Sequence, residues 1–305
     1  MSLELIIIGG GPAGLAAGIY ATRAGIEAIV IEKAMAGGQI LISPVIENYP
    51  GEKSIAGMDL AQRMREHAAQ YVPIHELEEV LEAKKEGDTF HVKTSKDSYE
   101  VPALILATGA THKKLGVPGE AEFAGKGVSY CATCDGFFFK EKDAAVVGGG
   151  NTAAIEAIYL QNLGVRTKLI HRRPMLRAEK AYQDDIERLD VEKILESKVV
   201  EIKGTDKVES VLIENVNTGE REDVPVEAVF VSIGLIPQNE IAKALGAELR
   251  DDGYVKIDDF QRTSVKGMYA AGDIAGGARQ IVTSCAQGAQ AALASTEVLG
   301  KQYPF

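Results

Sequence analysis

Leu5-Ile6-Ile7-Ile8-Gly9-Gly10-Gly11-Pro12-Ala13-Gly14 decides how this chain is read. Four consecutive apolar residues, three of them β-branched, predict a short buried strand. A Gly-x-Gly-x-x-Gly turn follows at once, then a helical pattern to about Arg23, then a second strand, Ala28-Ile29-Val30-Ile31, that ends at Glu32. This is the opening of a dinucleotide-binding unit, and the chemistry accounts for each glycine. The first permits the tight turn, the second lets backbone approach a diphosphate, and the third lets helix pack closely on strand. The free N–H groups and the dipole at the helix start then favour the anion. Gly9, Gly11, Pro12, Ala13 and Gly14 are therefore candidate phosphate-binding residues.

The same scheme recurs downstream. Ala144-Ala145-Val146-Val147 leads into Gly148-Gly149-Gly150-Asn151-Thr152-Ala153, a helix to about Leu163 and the strand Thr167-Lys168-Leu169-Ile170, which ends at His171-Arg172-Arg173. Gly9 to Glu32 is 23 positions (32 − 9), and Gly148 to His171 is 23 (171 − 148). One such glycine pattern is weak evidence. Two, each in strand–turn–helix–strand context, outweigh the alternative of glycine-rich turns in an ordinary α/β protein. In the second copy Gly148, Gly150, Asn151, Thr152 and Ala153 take the cradle positions.

The two strand ends differ. Glu32 can accept hydrogen bonds from a ribose diol and would repel a 2′-phosphate, which suits FAD or NAD. His171, Arg172 and Arg173, with Arg177 one helical turn on, offer cations that fit a 2′-phosphate, so the second site reads as NADPH. A solvated basic cluster is the competing reading, and position rather than charge argues against it. Two further strands end in small residues, Leu104–Leu106 before Ala107-Thr108-Gly109, and Met268–Ala271 before Gly272-Asp273. Thr108, Gly109 and Gly272 are placed where backbone passes a cofactor. Asp273 either holds ribityl hydroxyls or caps a helix. The Arg279–Leu299 stretch, Ala-rich, reads as a helix whose start offers positive potential to a reduced flavin.

Ser129-Tyr130-Cys131-Ala132-Thr133-Cys134-Asp135-Gly136 holds two of the three cysteines. Two intervening residues let the thiols close a small disulfide reversibly. Zinc needs about four ligands; there is no second Cys-x-x-Cys, and the five histidines are scattered. No metal is expected. A purely structural disulfide suits a cytoplasmic protein poorly. Asp135 is either an acid–base group serving the thiols or a helix N-cap. Lone Cys285 reads as a small buried residue.

Composition agrees with a soluble enzyme. Hydrophobic content of 46% builds a core easily, and the 32 glycines sit in clusters rather than in low-complexity runs. A net charge of −11 and a pI near 5.1 argue against nucleic acid or an anionic membrane as the main partner. The first residues carry no basic leader, and Leu5–Ala21 is interrupted by glycines and Pro12, so neither a signal peptide nor a membrane span is read there. A cytoplasmic location is the expectation.

The second unit lies inside the first. The Gly/Pro-containing crossings Lys113–Gly119 and Ile233–Gln238 read as paired linkers. The expected fold is α/β, with two Rossmann-like dinucleotide-binding domains. Residues 1–112 and 244–305 form an FAD domain, and residues 113–243 form an inserted NADPH domain carrying the redox disulfide.

At this point the chain resembles the low-molecular-weight thioredoxin reductases of bacterial and archaeal type over essentially its full length. The landmarks are Gly9–Gly14, Glu32, Gly37-Gly38-Gln39, Glu47-Asn48-Tyr49-Pro50-Gly51, Ala107-Thr108-Gly109, Cys131–Asp135, Gly148–Ala153, His171-Arg172-Arg173 with Arg177, Ala271-Gly272-Asp273 and Arg279-Gln280. The resemblance implies a homodimer with FAD in each subunit and a redox disulfide on the inserted NADPH domain. Gly38, Gln39, Asn48 and Asp273 would contact FAD, Gln280 would lie near the flavin ring, and Arg279 beside it is a further cofactor-binding candidate. Cys134 would be the sulfur facing the flavin, Cys131 the one that attacks thioredoxin, and Asp135 the acid–base residue. The inserted domain of such proteins swings between two poses, one serving nicotinamide and one the disulfide. The stretch Lys33–Gly37 is short for the family, a departure that bears on the adenosine end. Relatives that take electrons from ferredoxin or F420 lack the second glycine turn or its arginines, and this chain keeps both. The competing readings are a related flavin disulfide reductase with another protein acceptor or electron donor, and a non-catalytic redox or nucleotide sensor.

Overall fold

The computed structural model describes residues 2–43 and 45–302; Met1, Pro44 and residues 303–305 lie outside it. The chain divides into two compact units, Met1–Thr111 with Ile236–Phe305, and His112–Leu235.

The first unit is built on a five-stranded parallel sheet in the order Met268–Ala270, Ala103–Leu106, Leu5–Ile8, Ala28–Ile31, Ile74–His75. Leu5 stands beside Ala28 and Ala103, and Ile8 beside Ile31 and Leu106. Successive side chains of a strand point to opposite faces. Leu5 and Ile7 accordingly join Ala13, Leu15 and Ala17 of the helix Pro12–Arg23 in one apolar cluster. Ile6 and Ile8 join Phe90, Val92 and Val101 in another, supplied by a three-stranded antiparallel meander, Val80–Glu86, Thr89–Thr94, Ser98–Val101. With both faces covered, the strand is apolar throughout rather than alternating.

The second unit repeats this plan. Its parallel sheet runs Glu192–Ile194, Arg166–Ile170, Asp143–Val147, Ala228–Val231, Val128–Ser129, and a second meander, Ser197–Gly204, Val208–Asn215, Arg221–Pro225, lines one face. The sheets correspond strand for strand, with the glycine-turn strand at each centre. The outer place beyond Ala103–Leu106 belongs to Met268–Ala270, which runs into Gly272-Asp273. The equivalent place beyond Ala228–Val231 belongs to Val128–Ser129, which runs into Cys131–Asp135. The redox motif and Asp273 thus hold matching positions, each within its own unit.

The crossings, Ala110–His112 and Leu235–Pro237, pair as a two-stranded ribbon. The return falls at residue 236, not at 244. Ala242, on the short helix Glu240–Ala244, is fully buried in the meander-side cluster of the first unit, which draws residues 236–243 into that unit. Among the described residues no helix is long and apolar enough to cross a membrane.

Candidate functional site

The helix Pro12–Arg23 starts from Gly11 with no side-chain cap and no acidic residue in its first turn. Its first N–H groups are therefore left for an anion. A Cβ on Gly14 would stand 1.8 Å from the Gly9 carbonyl oxygen, and one on Gly9 would stand 2.2 Å from that of Ala107. Turn, helix and neighbouring strand touch backbone to backbone, and only hydrogen fits. Gly38, at φ +64°, faces the Cα of Gly11, which a Cβ there would meet at 3.1 Å, and Gln39 beside it is exposed. Glu32 accepts hydrogen bonds from the backbone N–H of Gly10 at 2.7 Å and of Ala34 at 2.9 Å. These bonds fix the carboxylate over the turn, and a carboxylate has further lone pairs with which to meet a diol. The residues present fit a dinucleotide diphosphate and its ribose.

Further segments of this unit are joined to one another by hydrogen bonds. The side-chain amide of Asn48 donates to Oε1 of Gln280 at 3.2 Å, across 232 positions of sequence. Gln280 is the N-cap of the helix Ile281–Ser295, locked in a reciprocal capping box with Thr283, so that helix begins just after Arg279. Asp273 therefore does not cap it. It lies in the short turn Gly272–Ala275, where burial pushes its carboxyl up while Arg279 and a hydrogen bond from Ser284 oppose the rise. The Thr108 hydroxyl donates to the Gln238 carbonyl at 2.7 Å, and the Gln238 N–H to the Gly109 carbonyl, so this pair anchors the returning chain. Gln287, not anticipated, accepts the Gly272 N–H at 2.8 Å from one face of an Ala-rich helix.

The second cradle has the same build. The helix Asn151–Asn162 starts from Gly150, again without side-chain cap or acidic residue in its first turn. A Cβ on Gly148 would lie 2.3 Å from the Ser232 carbonyl oxygen and 2.7 Å from the Ala153 Cβ, whereas one on Gly150 would meet nothing within 4 Å. The open side is where a diphosphate fits, with Thr152 exposed at the helix start. Asn151 is committed to Glu179, donating to its carboxylate and accepting from its N–H, each at 2.8 Å.

His171 departs from its sequence reading. Its ring is buried against Gly149 with Nε2 unpaired, and burial together with Arg177, Arg173 and Arg172 pushes its pKa down. The three arginines are exposed and carry the charge. Arg177 is not one helical turn on either. The segment is irregular, because Pro174 disfavours helical geometry at Arg173, and Arg177 is held by its N–H bonding to the Gly149 carbonyl at 2.6 Å.

Cys131 and Cys134 are joined as a disulfide, Cα atoms 5.3 Å apart, at the start of the single helical turn Ala132–Asp135. Cys134 is exposed and Cys131 half-buried. Asp135 makes no capping bond. Instead its Oδ2 accepts the Ser129 hydroxyl at 2.5 Å, and that Oγ accepts the Cys131 N–H at 3.1 Å. Burial pushes the Asp135 carboxyl up and the Ser129 bond opposes it. Ser129 was not singled out from sequence; its only trace is a hydroxyl two residues before the first cysteine. The neighbouring Tyr130 hydroxyl donates to buried Glu120 at 2.9 Å, and Glu120 also accepts the N–H groups of Leu115 and Gly116. Cys285 is half-buried rather than fully buried as expected, and desolvation pushes its thiol up to about 11. Among the described residues no group of three or more His, Cys, Asp or Glu is arranged to hold a metal.

Comparison with known proteins agrees with this geometry. The pyridine nucleotide-disulphide oxidoreductase family matches residues 3–288. The thioredoxin reductase of Treponema pallidum (strain Nichols) is 41% identical over 299 residues, covering 97% of each chain. That of Bacillus subtilis (strain 168) is 39% identical over 294 residues, covering 95% of this chain and 92% of its own. The crystal structure of thioredoxin reductase from Streptococcus pyogenes MGAS5005 superposes with a TM-score of 0.91 at 40% identity, covering 98% of each chain. Two like-built cradles, a disulfide with an acid beside it and these full-length similarities converge: the chain belongs to the pyridine nucleotide-disulphide oxidoreductase family, among its low-molecular-weight thioredoxin reductases.

Proposed function

We propose that the chain is an NADPH-dependent thioredoxin-disulfide reductase. The first unit binds FAD, through the Gly9–Gly14 cradle with Glu32, Gly38, Gln39, Asn48, Gly272, Asp273 and Arg279-Gln280. The second binds NADPH, through Gly148–Ala153 with Arg172, Arg173 and Arg177 around the 2′-phosphate. Bound flavin supplies two-electron transfer from a nicotinamide to the disulfide. The observation that carries the reading is the pairing of two uncapped glycine-turn helices, one beside a fixed carboxylate and one beside exposed arginines, with a single Cys-x-x-Cys. Two electrons and two protons convert the Cys131–Cys134 disulfide to a dithiol. One thiolate, assigned to Cys131, attacks a disulfide sulfur of thioredoxin. Cys134 then displaces it, re-forming the ring and releasing reduced thioredoxin, with Asp135 supplying a proton to a departing sulfur. A homodimer in the cytoplasm is the assembly proposed.

Anaerobic titration tests the reading. NADPH should bleach the flavin absorbance at lower concentration than NADH, and the holoenzyme should reduce thioredoxin catalytically. Cys131→Ser should abolish turnover while leaving the flavin bound. A colourless protein that cannot be reconstituted with FAD, or unchanged turnover in Cys131→Ser, overturns it.

A further inference from the structure

We infer that Ser129 is a positioning residue for the disulfide chemistry: it holds Asp135 against the backbone of Cys131 and keeps its carboxyl able to release a proton. The inference rests on the acid–base reading of Asp135. It stands on geometry. Ser129 is the last residue of the edge strand Val128–Ser129 and is 6% exposed. Its Oγ accepts the Cys131 N–H at 3.1 Å, so its own proton is free to point elsewhere. The Asp135 oxygen at 2.5 Å is a far better acceptor than the Cys131 carbonyl at 3.4 Å. A single hydroxyl thereby ties the acid to the main chain of the first cysteine, and both to a strand of the central sheet.

The consequence for the proton follows from the two influences on Asp135. Burial disfavours the carboxylate and Ser129 favours it. The helix Asn151–Asn162, packed against this turn, carries Glu156, which accepts the Ser232 hydroxyl. Tyr130 turns its hydroxyl to Glu120, Tyr159 packs beside Gly136 from the helix Asn151–Asn162, and Lys140 is exposed beyond the following turn. The two cysteines titrate only once reduced. Without Ser129, burial acts unopposed and the acid weakens. When the neutral acid protonates a departing sulfur, the carboxylate left behind keeps the Ser129 hydrogen bond, so that state is stabilised. The hydroxyl can also accept from the neutral acid, so it serves both protonation states.

The test is the pH profile of thioredoxin reduction by the NADPH-reduced holoenzyme. Activity that needs neutral Asp135 falls as pH rises through its pKa. In Ser129→Ala that alkaline limb should move up by about one pH unit, and the plateau below it should drop about three- to tenfold because the acid is weaker. Ser129→Thr, which keeps the hydroxyl, should retain the parent profile. Asp135→Asn should lose the limb and about a hundredfold or more in rate, and Ser129→Ala added to it should cost nothing further. Bound flavin and two thiols released per chain on reduction show that each variant is folded. An unmoved limb in Ser129→Ala, or an equal loss in the Asp135→Asn background, overturns the role of Ser129 alone. A parent-like profile in Asp135→Asn instead overturns the acid–base reading on which it rests.

Discussion

The ring of His171 lies buried against Gly149, while Arg172, Arg173 and Arg177 stand exposed around it. Within one basic run, then, the histidine shapes the floor and the arginines hold the charge. A guanidinium pairs with a phosphate through forked, charge-assisted bonds, each contributing about 1.5–3 kcal/mol. Replacing Arg172 and Arg177 together with alanine should raise the KM for NADPH about 10- to 100-fold. The KM for NADH, which has no 2′-phosphate, should hardly change. Steady-state kinetics with both nucleotides checks this, and equal losses for the two would show that the arginines support the fold rather than read the phosphate. At Arg177 the substitution removes only the guanidinium, because the bond to the Gly149 carbonyl is made by the backbone N–H, which alanine keeps. A lysine at 172 should keep part of the preference, since it offers the charge without the fork.

The helices Pro12–Arg23 and Ile281–Ser295 show how closely the elements behind the first cradle must pack. A Cβ on Gly288 would stand 2.0 Å from the Ala13 carbonyl oxygen, in the first turn of the helix that opens the first cradle. Gly288→Ala should therefore destabilise the first unit by about 1–3 kcal/mol, the usual cost of overpacking, and speed the loss of flavin during dialysis. Gly150→Ala, with open space at its Cβ, should leave thermal stability nearly unchanged and weaken NADPH binding alone. Melting temperature and flavin content distinguish the two, and a stable, fully yellow Gly288→Ala protein would refute the packing argument. These central elements were legible in the sequence, because buried parallel strands read as apolar runs and the glycines sit where strand meets helix. The two meanders were not. Their outer strands are half-exposed and some alternate weakly, as Val80–Glu86 does, with polar residues on most positions. Nor was Ser129 legible, nor Gln287 or Glu179. Each acts through a partner fixed by the fold, and a lone polar residue in sequence carries no sign of it. The Gly/Pro crossing Ile233–Gln238 locates the return, whereas the domain bound expected at 244 runs past it, because burial of Ala242 draws Glu240–Ala244 into the first unit.

Each unit carries its own sheet, its own meander and its own buried clusters, so each has the means to unfold as a cooperative body. The repeat in the sequence, glycine turn to glycine turn, is therefore more than a repeat of binding motifs. It extends to the order of five strands and to the meander that follows the edge strand on the far side of the glycine-turn strand, Ile74–His75 in one unit and Glu192–Ile194 in the other. What differs is the outer strand, which leads to Asp273 in one unit and to the disulfide and Asp135 in the other. The two ligands should accordingly act on separate transitions. A ligand at a hundred times its Kd stabilises the state that binds it by about 2.7 kcal/mol, which for a unit of this size moves a melting temperature by roughly 5–10 °C. Calorimetry of the holoenzyme should resolve two transitions. Stripping FAD should lower one of them and leave the other in place, and NADP+ should raise only the second. NAD+ at the same concentration should raise it less, through the arginines. A single transition that responds to either ligand would show that the units share one cooperative fold, and would remove the basis for treating the two cradles as independent sites.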